Sequence, residues 1–139
     1  MKSFQEFVDE GKVKVGSSDP ATSISLMKQA RIRLKDLLSL SINEETAPLR
    51  FESAYECLKE AIHSFMSLDG YKPYSHEAIF SYAYDKKLLT ESEVMRADRY
   101  RKIRNDINYR GETVSLKRAK KSIEFSKKII KRLQKKSSS

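Results

Sequence analysis

One run of spacing constrains this chain more than any other. Phe51, Ala54, Tyr55, Leu58, Ala61, Ile62 and Phe65 recur at intervals of three and four. That period matches the turn of an α-helix and places all seven on one face. The face is too wide to leave in water, so it must be covered by other elements. The stripe predicts a helix from about Pro48 to Leu68, ended by Asp69-Gly70, where glycine accepts the left-handed conformation of a helix stop.

The neighbouring segments supply the cover. Asp19-Pro20 is a helix start, an acceptor at the cap followed by proline at the first helical position. Ile24, Met27, Ala30, Leu34, Leu37 and Leu38 then repeat at helical spacing to about Leu40. Asn43 to Pro48 is a short connection, so these two helices should form an antiparallel pair. Cys57 flanks the central stripe as a half-buried small hydrophobe, and His63 points away from it to the surface. Upstream, Ser3 and Glu6 have capping-box spacing and Gly11 can stop a short helix; Lys12 to Ser18 reads as a mobile linker.

Downstream, Ser75 can cap a short helix from His76 to about Leu88 carrying Ile79, Phe80, Ala83 and Tyr84. Thr90-Glu91-Ser92-Glu93 is a capping box that opens a helix from about Glu91 to Asn108. Arg110-Gly111-Glu112 is a turn, and a final helix runs from Val114 or Ser115 to Lys135. Its apolar side is Ala119, Ile123, Ile130 and Leu133, with Phe125 and Ile129 beside them. No strand candidate exceeds a few residues and no internal repeat is present. The expected fold is all-α, an up-and-down four-helix-type bundle with an additional short helix. Residues 1–18 form the short helix and linker, 19–135 the bundle, and 136–139 a disordered tail.

Composition excludes several kinds of chemistry. One cysteine, Cys57, allows no intrachain disulfide and no thiolate metal cluster. Two histidines, His63 and His76, without carboxylates at ligand spacing make no zinc site, and no metal or cofactor is expected. The four glycines form no phosphate loop or dinucleotide fingerprint, and there is no nucleophile elbow. No apolar run reaches the length of a membrane span, and the acidic N-terminal stretch lacks a signal-peptide core, so the expected location is the cytoplasm. The net charge of +9 is unevenly placed. Through Tyr109 the chain carries 17 basic and 17 acidic residues; from Arg110 onward it carries 11 basic and 2 acidic. The final helix is therefore either a surface for phosphate backbones or a solubilising face.

The candidate site is Tyr100-Arg101-Lys102-Ile103-Arg104-Asn105-Asp106-Ile107-Asn108-Tyr109-Arg110. On a helical wheel Arg101, Arg104, Asn105 and Asn108 share a side that borders the apolar direction of Ala97 and Ile107. Guanidinium and amide donors that are covered must find partners, because an unpaired buried donor is costly. A solvated face of ion pairs is the plain reading; two arginines beside two amides and a tyrosine also fit a binding site. Before it, Gly70-Tyr71-Lys72-Pro73-Tyr74 interleaves aromatics with a lysine. His76 follows in the first turn of its helix, available to an anion or to packing.

In order, the helical pair, Gly70-Tyr71-Lys72-Pro73-Tyr74-Ser75-His76, and Arg104-Asn105-Asp106-Ile107-Asn108-Tyr109 before a last helix resemble the HEPN family. The resemblance spans about Pro20 to Leu133. It implies a homodimeric α-bundle. Many relatives are metal-independent ribonucleases, while others pair with a small nucleotidyltransferase, often as toxin and antitoxin, or bind nucleotides. In the family's ribonuclease motif an arginine and a polar residue precede a histidine. Arg104 and Asn105 match the first two positions, and Tyr109 stands where the histidine would be. No histidine follows Arg104. The resemblance therefore implies a non-catalytic or weakly catalytic module. Arg101, Arg104, Asn108 and Tyr109 would bind a nucleotide or a nucleotidyltransferase partner. The alternative is an endoribonuclease using Arg104 and Asn105 with Tyr109 or His76 as acid or base.

Overall fold

A computed structural model of the chain describes residues 2–138. It contains α1 (Phe4–Asp9), β1 (Val13–Val15), α2 (Pro20–Ser39), α3 (Ala47–Leu68), β2 (Tyr71–Pro73), α4 (His76–Asp85), α5 (Glu91–Arg110) and α6 (Leu116–Ser137). Helix α3 is the axle of the bundle. It packs against α2, α4, α5 and α6, and it buries Phe51, Ala54, Tyr55, Leu58, Ala61 and Ile62 completely. The architecture is the expected all-α bundle, with a two-stranded ribbon added.

Local chemistry sets the helix ends. Asp19 Oδ1 accepts from Thr22 N–H at 3.0 Å ahead of Pro20, and the Ser3–Glu6 and Thr90–Glu93 capping boxes both form. Gly111 ends α5 at φ +64°. Helix α4 stops at Asp85, three residues before the expected end. Lys87 takes φ +59°, and Leu88 N–H reaches back to Ala83 O at 2.8 Å, which turns Leu88 and Leu89 into the core.

The stretch expected to be a mobile linker holds β1. It pairs antiparallel with β2, Val13 opposite Pro73 and Val15 opposite Tyr71. Three residues per strand leave almost no periodic signal, and the pairing comes from tertiary contact. Val13 is buried there, and Phe4 and Phe7 of α1 belong to the same core, with Phe4 set edge-on to Tyr71 and Tyr82. The tail expected to be disordered over 136–139 is helical through Ser137, and Ser139 lies outside the described residues. Leu133 is fully buried, and Lys135 and Lys136 sit in the last turn, where cations suit the helix dipole.

On α2 the buried seam is Ser23, Met27, Ala30, Leu34 and Leu37. Ile24 and Leu38 lie beside it, exposed. A seam spaced four and three is narrower than the apolar set, as in paired coiled-coil helices. The Ser23 and Ser64 hydroxyls meet at 3.2 Å inside it. Cys57 is fully buried, and burial pushes its thiol up to about 12. His63 is half-buried rather than on the surface, its pKa lowered by that burial and by Lys59 and Lys72.

Candidate functional site

Helix α5 crosses α3 so that its polar side meets the charged flank of the α3 stripe. Arg104 Nη2 lies 3.4 Å from Glu56 Oε1, and Lys59 Nζ lies 2.8 Å from Glu56 Oε2. Asn108, with its amide turned to satisfy both neighbours, donates to Glu52 Oε2 and accepts from Arg104 Nε, each at 3.1 Å. Arg101 Nε donates to Asp98 Oδ1 at 2.9 Å, and its Nη2 is 3.7 Å from Glu77 Oε1 at the start of α4. Lys102 also reaches Asp98, at 3.5 Å. The side chains of Arg101 and Arg104 are only 15% and 18% exposed. Both arginines thus sit in a covered, paired network, as the donor argument requires.

His76 joins this cluster from α4. Its Nδ1 shares a hydrogen bond with Tyr55 Oη at 3.0 Å, and the Arg104 guanidinium lies 6.0 Å from the Tyr55 ring centre. Burial pushes the His76 pKa down to about 4, and the positive charges of Lys59 and Arg104 push the same way. Burial likewise raises the Tyr55 hydroxyl well above its ordinary range. At neutral pH the imidazole is therefore uncharged. Its Nε2 has no hydrogen-bond partner among the described residues.

The structure brings Arg101, Arg104, Asn108 and His76 together and leaves two expected members out. Asn105 is half-buried and makes no side-chain hydrogen bond among the described residues. Tyr109 is 79% exposed and touches none of the cluster through a hydrogen bond or ring contact. Because α5 continues to Arg110, Tyr109 lies five positions along the helix from Arg104, about 140° around the axis.

Sequence reasoning missed Glu52, Glu56, Lys59, Glu77 and Asp98, and it counted Tyr55 only as core. Glu52, Glu56 and Lys59 at spacings of four and three on α3 were the available signal. With them the cluster holds four cations, Lys59, Arg101, Lys102 and Arg104, against four carboxylates, Glu52, Glu56, Glu77 and Asp98. One feature is uncompensated: buried Glu56 Oε1 accepts no hydrogen bond and is held by the charge of Arg104. No group of histidine, cysteine and carboxylate side chains among the described residues could hold a metal ion, and no described helix is long and apolar enough to cross a membrane. No protein-family model, curated protein or solved structure matches the chain.

Proposed function

We propose that this chain is a HEPN-like helical module that binds rather than cleaves. In this reading it acts as a homodimer and engages a nucleotidyltransferase partner, or the nucleotide such a partner handles, in a toxin–antitoxin-like setting. The observation that carries the reading is the pairing of Arg104: its charge is already met by Glu56 and its Nε by Asn108. An arginine paired this way holds the fold together and can exchange its carboxylate for a ligand anion. A ligand phosphate or partner carboxylate would exchange with Glu56 or Glu77 at the guanidinium forks. Tyr109, exposed near the end of α5 and turned away from the cluster, is an aromatic ring free for a partner's surface.

One observation favours the ribonuclease reading. His76 is neutral, lies in the same cluster as Arg104, and keeps Nε2 without a partner. In that reading Nε2 takes the proton of a ribose 2′-hydroxyl, whose oxygen attacks the adjacent phosphorus. Arg104 then meets the charge on the phosphoryl oxygens, the 5′ oxygen leaves with a proton taken from water, and the His76 imidazolium returns its proton to the resulting hydroxide.

The test is a metal-free RNA-cleavage assay on wild type, Arg104→Ala, His76→Ala and Tyr109→Phe. Light scattering and ATP titration calorimetry are run on the same samples. A dimer without cleavage, whose ATP binding falls in Arg104→Ala, is the expected result. Cleavage lost in both Arg104→Ala and His76→Ala would establish the enzyme instead. A monomer would remove the dimer from the proposal.

A further inference from the structure

A second charged surface lies on the opposite flank of α5, away from the Arg104 cluster. Arg96 and Arg99 of α5 face Lys117, Arg118 and Lys121 of α6 across a cleft of about 720 Å³. No carboxylate lines it. Among the described residues, none of these five side chains makes an ion pair. This is the reverse of the Arg104 cluster, where each cation has a carboxylate.

The arrangement is partly fixed in advance. Arg96 Nε donates to Tyr100 Oη at 2.7 Å, and its guanidinium lies over the Phe125 ring at 4.6 Å. Its charge is thereby held at the cleft wall without being neutralised. Lys117 and Arg118 occupy the first turn of α6, which has no acidic residue. Cations there oppose the helix dipole, so the fold gains nothing from them and the cleft gains positive potential.

The positive surface extends well beyond the cleft. Lys117, Lys121, Lys128, Lys131 and Lys135 fall within about 40° of one line along α6, interrupted once by Glu124, with Lys128 also 3.8 Å from Glu93 Oε2. From Lys117 to Lys135 that line is about 27 Å long. A mononucleotide cannot span it, whereas a run of backbone phosphates can. Tyr100 is buried, so the cleft shows no aromatic ring on which bases could stack.

We propose that the α5–α6 cleft and the lysine line of α6 bind the phosphate backbone of a single nucleic-acid strand, without reading its sequence. Charge complementarity selects this occupant, and the concave cleft between two helices accommodates one strand. The inference stands apart from the function proposed for the Arg104 cluster, because no residue is shared.

The experiment is fluorescence anisotropy with labelled 20-nucleotide single strands of RNA and of DNA, titrated with full-length protein from 50 to 200 mM salt. Wild type should bind both strands, with log affinity falling linearly in log salt. Arg99→Gln combined with Lys121→Gln should weaken binding about tenfold and flatten the salt slope by about 1.4, two contacts at about 0.7 each. Lys12→Gln with Lys14→Gln removes the same charge from the exposed ribbon and should change neither. All four residues are exposed, so circular dichroism should match wild type. Equal losses in the two pairs would overturn the proposal as generic charge attraction. Absence of binding at 50 mM salt would overturn it, as would binding to vesicles containing phosphatidylserine but to neither strand.

Discussion

Arg104 Nη2 and Glu56 Oε1 lie 3.4 Å apart, and that carboxylate oxygen has no hydrogen bond of its own. The pair bridges α5 to α3 beside a second link between the same helices, Asn108 to Glu52. It holds Arg104 in a fixed position while occupying it. Lys59 takes the other oxygen of Glu56, so the carboxylate is shared between two cations. When Arg104 turns to a new anion, Lys59 still holds Oε2, while the buried Oε1 loses the charge that faces it.

Glu56→Gln should therefore release Arg104 at small cost to the fold. The amide keeps the shape, and the lost ion pairs are part-exposed, so stability should drop by about 1 kcal/mol. On the proposed binding reading, removing a competing carboxylate worth about that much should raise ATP affinity about fivefold. Titration calorimetry and urea unfolding of the same samples check both. Unchanged affinity with unchanged stability would mean that Glu56 does not compete for the arginine.

A different arginine is structural. Arg132 of α6 closes on Glu93 through both Nη atoms, at 3.0 and 2.7 Å, and its Nη2 also donates to Leu88 O at 2.9 Å. Glu93 is at the same time the capping-box residue of α5. Burial works against its charge. The Arg132 hydrogen bonds and the Thr90 backbone N–H outweigh that and hold the carboxyl below its ordinary range. Arg132→Met leaves the covered Glu93 with only the Thr90 N–H and the more distant Lys128 at 3.8 Å, and should cost about 2 kcal/mol by urea unfolding, discounted because Arg132 is partly exposed. Adding Glu93→Leu should recover part of that loss.

Acid should weaken the fold through His76. Its folded pKa of about 4 lies below the ordinary 6.5, so between those values the unfolded chain binds a proton that the folded chain excludes. The stabilisation is complete above pH 6.5 and is lost as pH falls toward 4. After discounting for solvent it amounts to about 1–2 kcal/mol. His63 is shifted in the same direction and adds to the effect. Urea midpoints at pH 7.5, 6 and 5 should fall more steeply for wild type than for His76→Gln. Identical slopes would remove His76 from the account.

The parts of the fold visible in the sequence are those whose signal is local. The α3 stripe, the Asp19-Pro20 start and the two capping boxes depend on residues within a turn or two of one another, and all form. The β1–β2 ribbon was hidden because Val13 and Pro73 meet only when the bundle has folded. Arg101, Arg104 and Asn108 could be read as one helical face. Their partners could not, since Glu52 and Glu56 look like a solvated flank until α5 covers them. Tyr109 misled for a related reason. Motif spacing counts residues, but a helix that runs on to Arg110 turns the fifth residue away.

Two glycines give a prediction with an internal control. Gly70 sits at φ +85° where the chain leaves α3 for β2, and Gly16 N–H donates to Gly70 O at 2.7 Å. A Cβ on Gly70 would lie 2.4 Å from Gly16 O, a backbone atom that cannot rotate aside. Gly111 also has positive φ, at +64°, but nothing lies within 4 Å of its Cβ position. Gly111→Ala should therefore cost only the conformational term, about 1 kcal/mol. Gly70→Ala adds a backbone clash and should cost about 2–4 kcal/mol. The second loss should be regional as well as larger, because yielding to the clash means parting β1 from β2. Amide exchange at Gly16 and at the ribbon should accelerate in Gly70→Ala and stay at wild-type rates in Gly111→Ala. Equal destabilisation by the two variants would show that the ribbon yields without cost and that the Gly16–Gly70 approach does not hold it in place.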